Sequence, residues 1–188
     1  MGHFNHNDFY HGFVLRQVPD GARRALDVGC GSGRFARELA ARGLIVDAVD
    51  RSAEMIAAAG ETPGVRYVHA DVRELEPAGY DFVSCIASLH HLPFAATVTR
   101  LRDALRPGGV LAVLGLARPT PRDLPFGAVA FLPNRVRILL GPHSDDPAPP
   151  VKDAELTLSQ TRALARELLP GARIRRHLYF RYSLVYRA

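Results

Sequence analysis

The chain has 188 residues, 47% of them hydrophobic, enough to bury one core and near the usual size of a single α/β domain. Two cysteines, Cys30 and Cys85, and no apolar run of about 18 residues rule out a disulfide framework and a membrane-spanning helix, and Met1-Gly2-His3-Phe4-Asn5-His6 lacks a secretory pattern. The formal charge of +5 rests on arginines scattered singly or in pairs, Lys152 being the one lysine; without a basic stripe this reads as the solvated surface of a soluble, cytoplasmic protein and argues against a nucleic-acid partner.

Residues 1–21 form an N-terminal arm. Asn7 or Asp8 is placed to cap a short helix with Phe9, Phe13, Val14 and Val18 at helical spacing, ended by Pro19 and Gly21, and lying across the mouth of the fold. Its histidines, His3, His6 and His11, are either surface groups or ligand contacts. No carboxylate or cysteine completes a metal set with them, so no metal is expected, and Tyr10 and His11 are retained as candidate substrate contacts.

The cofactor-binding core, residues 22–117, opens with Ala25-Leu26-Asp27-Val28-Gly29-Cys30-Gly31-Ser32-Gly33-Arg34-Phe35-Ala36. A short apolar run stopped by alternating glycines and followed by helical spacing predicts strand, turn, helix. Glycines 29, 31 and 33 admit backbone angles that a Cβ forbids and let the main chain approach a ligand, while the helix start offers unpaired N–H groups to carboxylate, phosphate or ribose oxygens. The dinucleotide fingerprint G-x-G-x-x-G fails here, because Arg34 stands where its third glycine belongs. A second strand, Leu44–Asp50, ends in an acid 21 residues after Gly29, where a carboxylate can accept from both hydroxyls of a ribose.

Ser52 caps a helix over 53–59 closed by Gly60; a third strand, Val65–Ala70, runs into Asp71-Val72. The fourth strand, Tyr80–Ser88, is followed at once by Leu89-His90-His91-Leu92. A helix over 94–105 buries Val98, Leu101 and Leu105, and Arg106-Pro107-Gly108-Gly109 breaks the chain before the fifth strand, Val110–Leu116. Strands alternating with helices give a doubly wound, mostly parallel sheet whose ligands bind beyond the carboxyl ends of the strands, and Gly29 to Gly33, Asp50, Asp71 and His90 to His91 all fall at such an end.

Leu-Asp-Val-Gly-Cys-Gly-Ser-Gly, the acid after the second strand, D-x-V-x-x-x-x-x-L-H-H and L-R-x-L-x-P-G-G-x-L together resemble the class I S-adenosylmethionine-dependent methyltransferases of small-molecule type, over about Ala22 to Ala117. The resemblance implies S-adenosylmethionine as cofactor. Asp27, Gly29, Cys30, Gly31 and Gly33 then cradle its methionine end, Asp50 its ribose, Asp71 and Val72 its adenine, and the backbone at Ile86 its amino group, with Arg51 a further cofactor contact. It also implies a seven-stranded, Rossmann-like sheet whose last strand is inserted antiparallel between the fifth and sixth. The [DN]-P-P-[FYW] signature of base methylation is absent, Ala87-Ser88-Leu89-His90 standing in its place. Acids for metal-dependent catechol chemistry are missing beside His90 and His91, as are the paired glutamates of protein arginine methylation.

Methyl transfer from a sulfonium needs collinear groups in a dry pocket and no covalent residue, and a base only when the nucleophile carries a proton. His91, then His90, are the candidates for that base or for orienting the acceptor; the alternative is that they shape the pocket. The expected acceptor is a small organic molecule methylated on oxygen or carbon. Other readings are a cofactor-binding scaffold without transfer, a non-methylating enzyme on the same fold, and a dehydrogenase.

Residues 118–154 stand apart: 117–154 hold eight of the fourteen prolines, and two short helices, within 124–132 and 135–140, with a loop over 143–150 make a lid over the substrate, a dimer interface, a peripheral membrane contact or plain packing. Residues 155–188 close the fold with a helix from Thr157 or Ser159 that turns Leu164 and Leu168 inward, then an antiparallel hairpin, Ala172–Tyr179 and Arg181–Tyr186, turning at Phe180.

Overall fold

The structure is a computed structural model, and it describes residues 8–123, 153–178 and 180–188. The expectations for residues 124–152, two short helices and a loop, lie outside the described residues.

In chain order the elements are α1 (Asp8–Leu15), β1 (Arg24–Val28), α2 (Arg34–Ala40), β2 (Ile45–Asp50), α3 (Ala53–Ala59), β3 (Val65–His69), β4 (Tyr80–Ile86), α4 (Phe94–Asp103), β5 (Leu105–Leu116), α5 (Leu158–Leu168), β6 (Arg173–Arg176) and β7 (Arg181–Arg187). Single 3₁₀ turns cover Leu89–His91 and Pro121–Asp123. The strands form one sheet in the order β3-β2-β1-β4-β5-β7-β6, parallel from β3 to β5 and antiparallel at β7 and β6. The reversal of direction between β1→β2→β3 and β1→β4→β5 places a switch point at the carboxyl ends of β1 and β4.

Both faces of this sheet are covered, so the central strands are apolar on both sides instead of alternating. One face meets α1 and α2: Val14, Phe35, Ala36 and Leu39 pack against Ala25, Val46, Ala48, Phe82 and Leu114. The other meets α4 and α5: Val98, Leu101, Ala165 and Leu169 pack against Leu26, Val83, Cys85, Leu111 and Val113. A polar knot also sits within the sheet. Asp47 on β2 accepts from Arg66 Nε (2.7 Å), the Tyr80 hydroxyl (2.7 Å) and Arg24 (3.4 Å).

Three local expectations need correction. On α1 the buried side chains are Tyr10, His11, Val14 and Leu15, whereas Phe9 is 55% exposed, so the inward face is rotated from the purely apolar one. Arg106-Pro107-Gly108-Gly109 does not end the segment before the strand; β5 begins at Leu105, opposite Tyr80, and the four residues form a bulge before pairing resumes at Phe82 and Val110. Leu105 accordingly belongs to the strand and α4 stops at Asp103. The helix before the hairpin starts under a reciprocal cap, Thr157 Oγ1 accepting from the Gln160 N–H and the Gln160 side chain accepting from the Thr157 N–H. Its fully buried positions are Thr161 and Ala165, with Leu164 and Leu168 half-buried.

Candidate active site

The glycine turn leaves β1 at its carboxyl end and is pinned from both sides. The N–H groups of Gly29 and Cys30 donate to the Val49 carbonyl of β2 (2.8 and 3.1 Å), and the Gly31 N–H donates to Asp50 Oδ2 (2.8 Å). From the β4 side, Ser88 Oγ lies 3.1 Å from the Gly29 carbonyl and 3.0 Å from that of Ile86 and donates its one proton between them. Sequence reasoning missed Ser88. The signal was the glycine opposite it: a Cβ on Gly29 would stand 2.1 Å from Ser88 Oγ.

Glycines 29, 31 and 33 have φ of +69°, +54° and +76°, angles that L side chains rarely adopt. They do different work. A Cβ on Gly29 would strike Ser88 and one on Gly33 would strike Tyr67, so these two let protein approach protein. At Gly31, its chain neighbours aside, no atom of the described residues comes within 4 Å of a Cβ position. This open cradle is where a ligand can lie against the main chain. Gly31→Ala is therefore expected to fold at a cost of about 1 kcal/mol for the left-handed angle and to lose cofactor affinity at least tenfold, whereas Gly29→Ala should cost several kcal/mol. Chemical unfolding and calorimetric titration on the two variants check the contrast.

Asp27 lies on β1 beneath the turn, 1% exposed. Its Oδ1 accepts from Ser84 Oγ at 2.7 Å, and its Oδ2 has no hydrogen-bond partner among the described residues. Burial pushes its pKa up to about 6; Ser84 and His11 pull the other way, and Asp50 and Glu38 add to the rise. The folded chain thus holds this proton more tightly than the unfolded one. Its contribution to stability is full below an ordinary carboxyl pKa of 3.8 and is lost as the pH rises through 6. A shift of that size corresponds to about 3 kcal/mol. Asp27→Asn should therefore be the more stable protein at pH 7.5 by up to about that much, with the difference gone at pH 4, as urea unfolding at the two pH values would show.

Asp50 closes β2. Besides holding Gly31, it accepts from the Ser52 N–H through Oδ1 (2.9 Å), while Ser52 Oγ caps α3 through the Met55 N–H. Each carboxylate oxygen keeps one lone-pair direction for a further donor. Arg51, beside it, is exposed, and its carbonyl lies 3.2 Å from His69 Nε2. Asp71, beyond β3, is gripped by Arg73: Nε lies 3.0 Å from both oxygens, Nη2 2.6 Å from Oδ2, and the Arg73 N–H 2.9 Å from Oδ1. That fork holds the carboxyl below the usual carboxylate range. Val72 is buried.

At the exit of β4, Ile86 is half-buried and Ala87 takes a φ of +52°, a strained angle for a residue with a Cβ. The chain then turns through Leu89–His91, and the rings of His90 and His91 lie 4.1 Å apart, tilted by 39°. Tyr10 and His11 are in the core face of α1. His11 Nδ1 is 2.7 Å from Glu38 Oε1 of α2 and its ring stands edge-on to Phe35, while the Tyr10 ring is 5.1 Å from His177. Cys30 and Cys85 are free thiols, and burial pushes the pKa of Cys85 up to about 12, so it packs as an unreactive apolar group.

Comparison with known proteins gives this geometry its context. Residues 25–109 match the family model described as a methyltransferase domain. An uncharacterized methyltransferase of Mycobacterium tuberculosis is 37% identical over 196 residues, covering 98% of this chain and 97% of its own. The chain belongs to the class I S-adenosylmethionine-dependent methyltransferases. Trans-aconitate 2-methyltransferase of the same species is 37% identical over 157 residues, which cover 70% of this chain and 59% of that enzyme. Among solved structures, an amino pentose methyltransferase of Micromonospora echinaspora, with S-adenosylmethionine bound, superposes with a TM-score of 0.54 at 29% identity over 62% of this chain and 53% of that one.

S-Adenosylmethionine is the cofactor of this methyltransferase, and the site residues fit it: an open cradle at Gly31, a buried carboxylate oxygen at Asp27 awaiting a donor, and an acid at the end of β2 with spare lone pairs. Among the described residues no helix is long and apolar enough to cross a membrane.

Proposed function

We propose that this methyltransferase acts on a small organic acceptor, methylating oxygen or carbon, with His91 as the group that takes or orients the acceptor's proton. The observation that supports this reading most directly is the close, tilted pair of imidazoles at the exit of β4, tied through Ser88 to the glycine turn. The trans-aconitate relative, whose named substrate is a small organic acid, points to the same class of acceptor.

S-Adenosylmethionine supplies a methyl group on a cationic sulfur. The chain's own task is to bind and orient. Asp27 and the Gly29–Gly33 main chain hold the methionine end, the backbone at Ile86 meets its amino group, Asp50 receives the ribose hydroxyls, and Asp71 with Val72 meets the adenine. Asp71 is already oriented by Arg73, which engages both of its oxygens and leaves it charged and fixed. A neutral imidazole is what accepts a proton from an alcohol, phenol or acidic carbon.

The test is incubation with S-adenosylmethionine and a panel of small carboxylic acids, phenols, alcohols and amines, read by product mass. A gain of one methylene on an oxygen or carbon acceptor supports the reading; methylation confined to amines overturns the choice of atom.

A further inference from the structure

The positive charge is not spread as the composition suggests. Of 24 Lys and Arg residues, five arginines fall in residues 168–188, a stretch with no Asp or Glu; the remaining 167 residues hold 19 of each sign and are neutral. The formal charge of +5 therefore equals that of the C-terminal hairpin and its approach, where Arg176 is paired with Asp123 at 2.7 Å. The fold puts this hairpin at one side of the sheet, with β6 as the edge strand, paired to β7 alone. Arg173 and Arg175 on β6 are exposed.

The turn of the same hairpin carries an exposed aromatic. Phe180 is 41% exposed at a φ of +57°, an angle that a bulky L residue rarely adopts. Arg181 pairs with Leu116, the last residue of β5, so this turn lies at the carboxyl edge of the sheet, where the active-site residues sit. Phe9 belongs to the same corner: its ring stands edge-on to Tyr10 at 5.0 Å, Tyr10 lies 5.1 Å from His177, and the His177 N–H donates to the Arg181 carbonyl at 2.8 Å. Two of the three exposed large hydrophobic residues among those described are thus at one corner, beside the segment that carries the charge.

From this juxtaposition we propose that the β6–β7 hairpin, with Phe9 of α1, is a docking face for the surface of an anionic lipid bilayer, Phe180 and Phe9 entering the headgroup layer and Arg173 and Arg175 facing the lipid phosphates. Charge alone would suit any polyanion; the exposed phenyl groups select a partner with an apolar interior behind its negative surface. A nucleic acid is disfavoured by the same fold, since base stacking needs an open platform and both sheet faces are covered by helices. Docking in this way turns the carboxyl edge of the sheet toward the bilayer.

The test is co-sedimentation of the full chain with vesicles of phosphatidylcholine, with and without about three parts in ten of phosphatidylglycerol. Binding is expected to be at least tenfold tighter to the anionic vesicles and to weaken on raising the salt. Arg173→Gln with Arg175→Gln should weaken it about 25-fold, at roughly fivefold per arginine. Phe180→Gly keeps the turn, because glycine accepts its φ, and should weaken binding at unchanged thermal stability. Equal binding to neutral vesicles, undiminished binding by the folded double-arginine variant, or tighter binding to a 20-nucleotide DNA strand than to the anionic vesicles would each overturn the proposal.

Discussion

Asp50→Ala is expected to weaken S-adenosylmethionine binding by about 30- to 1,000-fold, the value of roughly 2–4 kcal/mol for charge-assisted hydrogen bonds to a ribose diol. The geometry adds a second loss to the first. Asp50 also accepts from the N–H groups of Gly31 and Ser52, so its removal frees the glycine turn and the start of α3 as well as the ribose contact. Asparagine should do little better. With one acceptor oxygen facing two N–H donors, an amide must set its own NH₂ against one of them. Calorimetric titration, with circular dichroism to confirm a folded chain, reads the result. Unchanged affinity in Asp50→Ala would remove the ribose assignment.

His91→Ala is expected to lower turnover by about 10²–10⁴, the usual contribution of a positioned general base, with cofactor affinity nearly unchanged. His90→Ala should have a smaller effect, through the loss of the ring that lies 4.1 Å from that of His91. The ratio of the two losses therefore assigns the roles. If turnover survives in both variants, neither ring is the base, and the acceptor is a group that carries no proton at the reacting atom, such as a carboxylate.

Much of this arrangement was legible in the chain. The glycine turn, Asp50 at the end of β2, the Ser52 cap and the antiparallel hairpin turning at Phe180 all follow from local signals: alternating glycines, apolar runs of strand length, cap residues. What was misread depended on partners far away in sequence. The inward face of α1 was assigned to Phe9 because His11 looks polar, yet His11 is buried against Glu38, 27 residues on. Asp47 reads as an ordinary polar strand position, and only the sheet brings it to Arg66, Arg24 and Tyr80. Pro107-Gly108-Gly109 reads as a stop, and pairing of Leu105 with Tyr80 turns it into a bulge. The Arg73 fork on Asp71 is local, two residues apart, but Asp-x-Arg in a connecting segment carries no signal of an ion pair by itself.

The position of β7 has a consequence for the order in which the molecule is built. Residues 24–116 complete five strands of the sheet, but the outer rim of β5 remains a bare row of amide and carbonyl groups until residues 181–187 arrive to cover it. β6, although earlier in the chain, has nothing to pair with before then. During synthesis the ribosome thus holds a nearly finished sheet with an open edge, and the final strand acts as the closure that protects the nascent chain from pairing with its neighbours.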